Sequence, residues 1–355
     1  MGYYTLQMDS RLLIINYAYD NTNKIFSHQK EIADKIADKC QSTLVISVFG
    51  NTKLEKISQQ SQIQCLGLKW KEGKTLLNFM HAYLVLFRCI IFFRPQKVFY
   101  HMTDSIAALY SPIFKILKIP QALWYAHKAN SRYLEFAMKF VDRAISSTEG
   151  SFPKINQKVL FIGQGIKSEL FPRDIERKLC EPINAVHFGR FDPSKKIEML
   201  IHIALHNPNR VNTLTIIGSP SHSQAITYQS RVQSEFHKYV VDGRLSFVDS
   251  IDRSEIANST KSHNLFLHAF EGSLDKTLLE ATLLGLPVVT SNKEYIIEFG
   301  SWEYEFKDLA SELDCYLSQT IRSRELECIR RYQKVIECHS LEIWVCKLLN
   351  VLENM

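Results

Sequence analysis

The sequence predicts an α/β protein of two domains, each built around a parallel β-sheet. Its 355 residues suit two domains of ordinary size. Residues 11–48 run as an apolar segment, a polar turn, a helical segment and a second apolar segment, which is the spacing of a βαβ unit. Residues 265–290 repeat this order, and Gly285 with Pro287 ends the helix, which we expect over residues 276–284. Ligands bind beyond the carboxyl ends of parallel strands, so the loops after these strands are the expected sites.

Composition and charge exclude several classes of protein. The hydrophobic fraction of 46% is that of a globular chain, not a disordered one. The net charge of +6 suits a phosphorylated ligand or an anionic membrane surface, but it falls well short of a nucleic-acid-binding protein. The eight cysteines form no CxxC pair and no metal-ligand spacing, so we expect reduced thiols, no metal site and a cytoplasmic protein. The polar N-terminus has no signal-peptide architecture.

The first strand is expected at residues 11–19 and the second at residues 44–48. The loop between the first strand and its helix contains no GxGxxG, so a nicotinamide-type site has no support. His28 stands where this loop enters the helix. It is either a ligand contact or an ordinary polar residue at a helix start.

Residues 73–93 form the most apolar segment of the chain. The segment has about transmembrane length, but His81 and Arg88 interrupt it. We therefore expect a buried helix, with the next strand directly after it. Basic residues in and around this segment leave a peripheral membrane contact open, namely Lys71, Lys74, Arg88, Arg94 and Lys97.

Two histidines stand at predicted strand ends in the first half of the chain. His127 follows the strand expected at residues 122–125, and His101 ends the strand expected at residues 98–101. Carboxyl ends of strands are where α/β chemistry usually takes place, and His127 is the stronger candidate. Residues 167–182 carry many charges and two prolines, and are expected to link the domains.

The second half of the chain has two strands that end in glycine turns. Gly189-Arg190 follows one strand and leads to Lys195 and Lys196, while Gly218 follows the next. Arginine offers a planar fork to phosphate and lysine a point charge, so the first turn is a candidate phosphate site. An ordinary solvated basic turn is the alternative.

Residues 268–292 are the stretch around which the chain is organised. A glycine turn feeds a helix for which Asp275 can serve as N-cap, and free N–H groups at such a helix end favour anions. Glu280 lies one and a half turns along that helix and could bind a sugar diol. An ordinary βα unit would show the same features.

These motifs resemble those of retaining, nucleotide-sugar-dependent glycosyltransferases of family four, which have the GT-B fold. One spacing differs, because eight residues separate Glu271 from Glu280 where the family usually has seven. The matching elements are Glu271-Gly272, Leu279-Glu280-Ala281, Gly285-Leu286-Pro287-Val288-Val289 and Gly189-Arg190 with Lys195.

The resemblance implies a role for each candidate residue. Arg190 with Lys195, or with Lys196 if one residue is inserted, would bind the donor diphosphate, and Gly218 would lie near the nucleotide. Glu280 would bind the ribose. The catalytic candidates are His127 and Glu271, and the acceptor-side candidates are His28 and His101. The turn around the donor sugar would consist of Glu271, Gly272, Ser273, Leu274, Asp275 and Lys276.

The sequence thus predicts a GT-B protein with two Rossmann-like βαβ domains that face each other across a cleft. The domains are expected at residues 1–168 and 183–339, and residues 340–355 as a helix that crosses back to the first domain. The predicted reaction is transfer of a sugar from a UDP- or GDP-linked donor to a glycan or lipid-linked acceptor, without metal or cofactor. Bacterial surface polysaccharide or glycolipid synthesis, at the cytoplasmic membrane face, is the expected setting. A nucleotide-sugar epimerase and a catalytically silent GT-B scaffold remain as alternatives.

Overall fold

A computed structural model describes residues 7–20, 27–49, 52–56, 62–70, 75–207 and 210–355. Lys71 and Lys74 lie outside these residues. The strands are β1 (Met8–Asn16), β2 (Cys40–Ser47), β3 (Lys53–Lys56), β4 (Gln62–Gly67), β5 (Lys97–His101), β6 (Gln121–Trp124), β7 (Arg143–Ser146), β8 (Val159–Phe161), β9 (Asn184–Phe188), β10 (Thr213–Ile217), β11 (Leu245–Val248), β12 (Leu265–His268) and β13 (Val288–Thr290).

The α-helices alternate with these strands along most of the chain, as the predicted βαβ units require. They are α1 (Ser27–Ala37), α2 (Thr75–Arg88), α3 (Asp104–Ile116), α4 (Arg132–Ala137), α5 (Ile197–Leu205), α6 (Ser223–Glu235), α7 (His237–Val241), α8 (Ile256–Ser259), α9 (Lys276–Leu283), α10 (Lys293–Phe299), α11 (Leu309–Ser318), α12 (Ile321–His339) and α13 (Leu341–Glu353).

The chain forms two compact units. The first comprises Met1–Gly165 with Leu341–Met355, and the second comprises Ile166–Ser340. Residues 167–182, which the sequence suggests as a linker, pack within the second unit, since Phe171 and Leu179 are buried there. A run of charges and prolines says how polar a segment is, but not whether its few apolar residues find a core.

The first unit contains a sheet of order β3-β4-β2-β1-β5-β6-β7-β8, in which β3 alone is antiparallel to its neighbour. Alternate residues of β1 point to opposite faces, so Leu13 and Ile15 enter one core and Leu12 and Ile14 the other. The second of these cores also receives α13 through Trp344 and five further buried residues: Leu341, Val345, Leu348, Leu349 and Leu352. The predicted return of the C-terminal helix to the first domain is therefore confirmed.

The helix α2 is less buried than the sequence suggests. It continues through a π-helical turn, Cys89–Phe93, and only 28% of the segment Leu76–Phe93 is buried. The prediction of a buried helix is wrong for this reason. Apolar composition shows that a helix avoids water, but it does not show whether the rest of the fold supplies enough surface to cover every face.

The second unit has a sheet of five parallel strands in the order β11-β10-β9-β12-β13. Helix α9 begins at Lys276 as predicted and ends one residue early, at Leu283. The chain leaves β9 toward β10 on one side and later returns to β12 on the other side. Such a reversal of strand order opens a crevice at the carboxyl ends of the two central strands.

Candidate functional site

The candidate site lies at the carboxyl edge of the second sheet, between β9 and β12. The two strands pair in parallel, with Phe266 opposite Val186, so their following loops meet at this edge. The loop after β9 carries residues 189–196, and the loop after β12 carries residues 269–275. Lys195 donates a hydrogen bond to the carboxylate of Asp275, which joins the two predicted donor loops directly.

This ion pair is the centre of a buried network. The Lys195 and Asp275 side chains are only 7% and 13% exposed. Nε2 of His268 lies 3.2 Å from the Asp275 carboxylate, and its Nδ1 lies 3.0 Å from Oγ1 of Thr290. Burial alone would raise the pKa of Asp275, but the Lys195 charge and the His268 hydrogen bond hold it well below its ordinary value. Asp275 is therefore ionised and also caps α9 by accepting from the N–H of Thr277 at 3.3 Å.

His187 lies beneath this network and is neutral. Its Nδ1 donates to the carbonyl oxygen of Leu267 at 2.8 Å, which leaves Nε2 as an acceptor. Nε2 is buried and has no hydrogen-bond partner in the described part of the chain. Burial, aided by His268, lowers the pKa of His187 to about 3. The ring thus fills the space behind the site without adding positive charge.

Arg190 is the exposed cation of the candidate site. Across the residues that the structure describes, its guanidinium makes no hydrogen bond or ion pair, so its donors face solvent. Burial would raise the pKa of nearby Asp192, but hydrogen bonds from Ser194 and His222 and the Arg190 charge lower it to about 2. A ligand phosphate would meet Arg190 without first breaking an internal contact.

Lys196 and Glu271 form a second, outer ion pair across the two loops. Their charged atoms are 2.7 Å apart, and the side chains are 41% and 50% exposed. Lys196 adopts a left-handed backbone conformation with φ of 51°. Glu271 therefore lies at the surface, whereas the buried carboxylate of the turn is Asp275.

Two glycines allow the loops after β9 and β10 to approach closely. A Cβ atom added to Gly218 would lie 1.8 Å from the carbonyl oxygen of Gly189, which is a backbone atom and cannot move alone. The N–H of Gly189 bonds to Ile217, and that of Gly218 bonds to Val248. The predicted glycine turn at residue 218 is therefore required by backbone contact.

The turn before α9 is held by Asn292, which follows β13 and which sequence reasoning did not single out. Its side-chain amide donates to the carbonyl oxygens of Phe270 at 2.8 Å and Ser273 at 3.1 Å. The Phe270 ring lies over this turn, leaves no room for a Cβ on Gly272, and packs 4.2 Å from the Lys195 ammonium. Ser273 and Leu274 are buried, whereas Lys276 is partly exposed. The only sequence signal for Asn292 was a polar residue in the short turn after a strand.

Glu280 lies on α9 with its carboxylate covered by Arg253. It is 4% exposed, and Nη2 of Arg253 donates to it at 2.5 Å. The Arg253 guanidinium also lies 5.5 Å above the ring of Phe171. A ribose that binds Glu280 must therefore share this carboxylate with Arg253, a residue that no sequence spacing connects to Glu280.

The remaining predicted residues lie in the first unit. His28 on α1 and His101 at the end of β5 have ring centroids 6.0 Å apart, next to the reversal of strand order between β1 and β5. Gln29 fastens this edge, because its Oε1 accepts from the backbone N–H groups of Tyr17 and Ala18. His127 is exposed beyond the end of β6. The structure thus places His28 beside buried His101, and sequence reasoning missed Gln29.

Titratable groups elsewhere offer no metal centre among the described residues, where no group of three or more His, Cys, Asp or Glu could hold an ion. All eight cysteines are free thiols.

Comparison with known proteins gives a fold but no family. No protein family model matches the chain. No curated protein matches it either. Solved structures do match it over nearly its whole length.

The Anabaena protein HepE in complex with UDP superposes with a TM-score of 0.74 at 12% identity, over 97% of this chain and 100% of HepE. Sucrose-phosphate synthase from Thermosynechococcus elongatus superposes with a TM-score of 0.72 at 12% identity, over 97% of this chain and 98% of the synthase chain. A glycosyltransferase from Rickettsia africae superposes with a TM-score of 0.71 at 13% identity, over 98% of each chain. The chain therefore has the GT-B fold of these glycosyltransferases.

Proposed function

We propose that the chain is a glycosyltransferase that moves a sugar from a nucleotide-sugar donor to a glycan or lipid-linked acceptor. The observation that carries this proposal is the contact between Lys195 and Asp275. It joins a loop with an exposed arginine to the start of α9 at the edge where parallel sheets bind ligands. HepE, which has the same fold, has been solved with UDP and with UDP-glucose.

In this proposal the donor diphosphate binds beside Arg190 and the lysines of the same loop. Arg190 supplies a planar fork of donors, and Lys195 and Lys196 supply positive charge from the other end of the loop. These groups stabilise the negative charge that grows on the leaving nucleotide as the glycosidic bond breaks. The side chains provide this stabilisation themselves, so we expect donor binding without a divalent metal.

The other candidate residues surround the rest of the donor. Glu280 accepts hydrogen bonds from the ribose hydroxyls, next to Arg253. The turn of residues 271–276 encloses the sugar. The motif resemblance gives His127, which is exposed beyond the end of β6, the role of orienting the sugar or the incoming hydroxyl group.

Finer properties follow from the motif resemblance. They are retention of configuration at the anomeric carbon, a UDP- or GDP-linked donor, and a place in bacterial surface polysaccharide or glycolipid synthesis on the cytoplasmic side. Although retention is proposed, we name no residue as a covalent nucleophile.

The test is release of nucleotide from UDP- and GDP-sugars, in the presence of a chelator. The proposal expects slow hydrolysis of one donor by the wild type and loss of that hydrolysis in Arg190→Ala. The matched control is Arg322→Ala, since Arg322 is 75% exposed on α12. Absence of turnover with every common donor, despite nucleotide binding, would refute the proposed enzymatic activity and favour a catalytically silent scaffold. The anomeric signal of the released sugar, followed by NMR from the first minutes, tests retention.

A further inference from the structure

The helix α2 and the π-helical turn after it expose a continuous apolar stripe. Its members recur every third or fourth residue, so they lie on one face of the helix. Each is at least half exposed: Leu76 (73%), Met80 (56%), Leu84 (61%), Phe87 (51%) and Ile91 (59%). We call these five residues the α2 stripe. Phe92, at the end of the segment, is 79% exposed.

The opposite face of the same helix is also apolar, and it packs in the core. Ala82, Leu86 and Cys89 pack in the core of the first unit. Tyr110, which is buried on α3, donates a hydrogen bond to the carbonyl oxygen of Ala82 at 2.7 Å. A surface helix normally presents polar residues opposite its core face, so the α2 stripe requires its own explanation.

Charge along this segment has one sign. No aspartate or glutamate occurs from Thr75 to Thr103. Arg88 and Arg94 are exposed at the C-terminal end of the segment, where the left-handed backbone of Arg94 ends the helix. Apolar side chains flanked by arginines, without acidic groups, complement a bilayer with anionic headgroups.

Two other occupants fit less well. A second copy of the chain, paired through the same face, would bring Arg88 and Arg94 into an interface to which this segment contributes no carboxylate to neutralise them. A membrane-spanning role would remove Ala82, Leu86 and Cys89 from the core that they complete. By length and composition the segment could cross a bilayer, but its inner face already packs in the core of the first unit.

We propose that the α2 stripe docks the first unit onto an anionic membrane, with α2 lying in the plane of the interface. The stripe residues enter the boundary between headgroups and acyl chains, and Arg88 and Arg94 contact lipid phosphates. This docking is separate from donor binding in the second unit, and it would bring a lipid-linked acceptor to the same surface as the enzyme.

Sedimentation with sucrose-loaded vesicles tests the proposal. One set is phosphatidylcholine alone, and the other contains a quarter phosphatidylglycerol. The wild type should bind the anionic vesicles, and Arg88→Gln should weaken this binding by about fivefold while leaving binding to neutral vesicles unchanged. The double variant Leu84→Asp/Phe87→Asp should lower binding to both by at least roughly tenfold.

The control variant is Ile297→Asp, since Ile297 is 79% exposed on α10 in the second unit. It should bind vesicles like the wild type. Circular dichroism checks that each variant is folded, and nucleotide affinity of the Leu84→Asp/Phe87→Asp variant should equal that of the wild type. Loss of vesicle binding with intact nucleotide binding thus separates docking from the donor site.

Three results would overturn the proposal. The wild type could remain in the supernatant with both vesicle types, or Ile297→Asp could lose binding as much as the stripe variant. The third is a stable dimer without lipid that Leu84→Asp/Phe87→Asp dissociates, which would assign the stripe to a second copy of the chain.

Discussion

The buried ion pair between Lys195 and Asp275 should show strong coupling in a double-mutant cycle. Both side chains are nearly inaccessible, so removal of one leaves the other as a buried charge. Breaking such a pair costs about 3–5 kcal/mol, whereas replacing both partners by neutral groups of similar shape costs far less. Asp275→Asn keeps an oxygen to cap α9, and Lys195→Met keeps the length of the stem. We expect each single variant to lose about 3 kcal/mol, and the double variant to lose at least about 2 kcal/mol less than their sum.

The measurement must report on the second unit alone, because a chain with two compact units need not unfold in one step. Hydrogen exchange at increasing urea, followed in peptides that cover β12 and α9, gives that local free energy. The exposed pair Arg322 and Glu325, 3.7 Å apart, is the control, with an expected coupling below roughly 0.5 kcal/mol. Additive single effects of less than about 1 kcal/mol each would refute the buried pair.

Three further variants test other parts of the site. Gly218→Ala, whose Cβ would collide with the backbone of Gly189, should weaken nucleotide binding by more than roughly tenfold in calorimetry. Gly243→Ala strains a left-handed turn (φ 69°) before β11 but meets nothing within 4 Å, so it should leave nucleotide binding unchanged. Glu280→Gln should remove most of a roughly tenfold preference for UDP or GDP over the 2′-deoxy nucleotide, measured the same way. The buried neutral His187, with a folded pKa of about 3, makes the wild type less stable as pH falls below its unfolded pKa of about 6.5. His187→Phe loses a hydrogen bond worth about 1 kcal/mol, but it avoids the roughly 2 kcal/mol by which protonation of His187 in the unfolded state destabilises the wild type near pH 5. In urea unfolding, the variant should therefore be less stable than the wild type near pH 7.5 and more stable near pH 5.

Much of the fold and of the donor loops could be predicted because their signals are local. Apolar runs followed by glycine mark the ends of β9, β10 and β12, and the stop at Gly285 fixes α9 to within a residue. Parallel strands end at one edge of a sheet, so the loops that follow them had to come close together. The Lys195–Asp275 contact is the result.

Pairings between distant segments were beyond the sequence. Arg253 meets Glu280 across 27 residues, and no periodicity connects them. Asn292, in the short turn after β13, fastens the turn before α9, and its role depends on carbonyl oxygens that carry no sequence signal. The exposure of one face of α2 was missed for a related reason, since hydropathy reports how apolar a helix is but not which of its faces the fold buries.

The most direct test of the donor site is calorimetric titration of the wild type, Arg190→Ala and Arg322→Ala with UDP and GDP in the presence of a chelator. One nucleotide should bind the wild type and Arg322→Ala equally. Arg190→Ala should lose about 2–3 kcal/mol of binding free energy, roughly 30- to 150-fold in affinity, because it removes charge-assisted hydrogen bonds to the diphosphate. If neither nucleotide binds, or if Arg190→Ala binds as tightly as the wild type, the carboxyl edge of the second sheet is not the donor site.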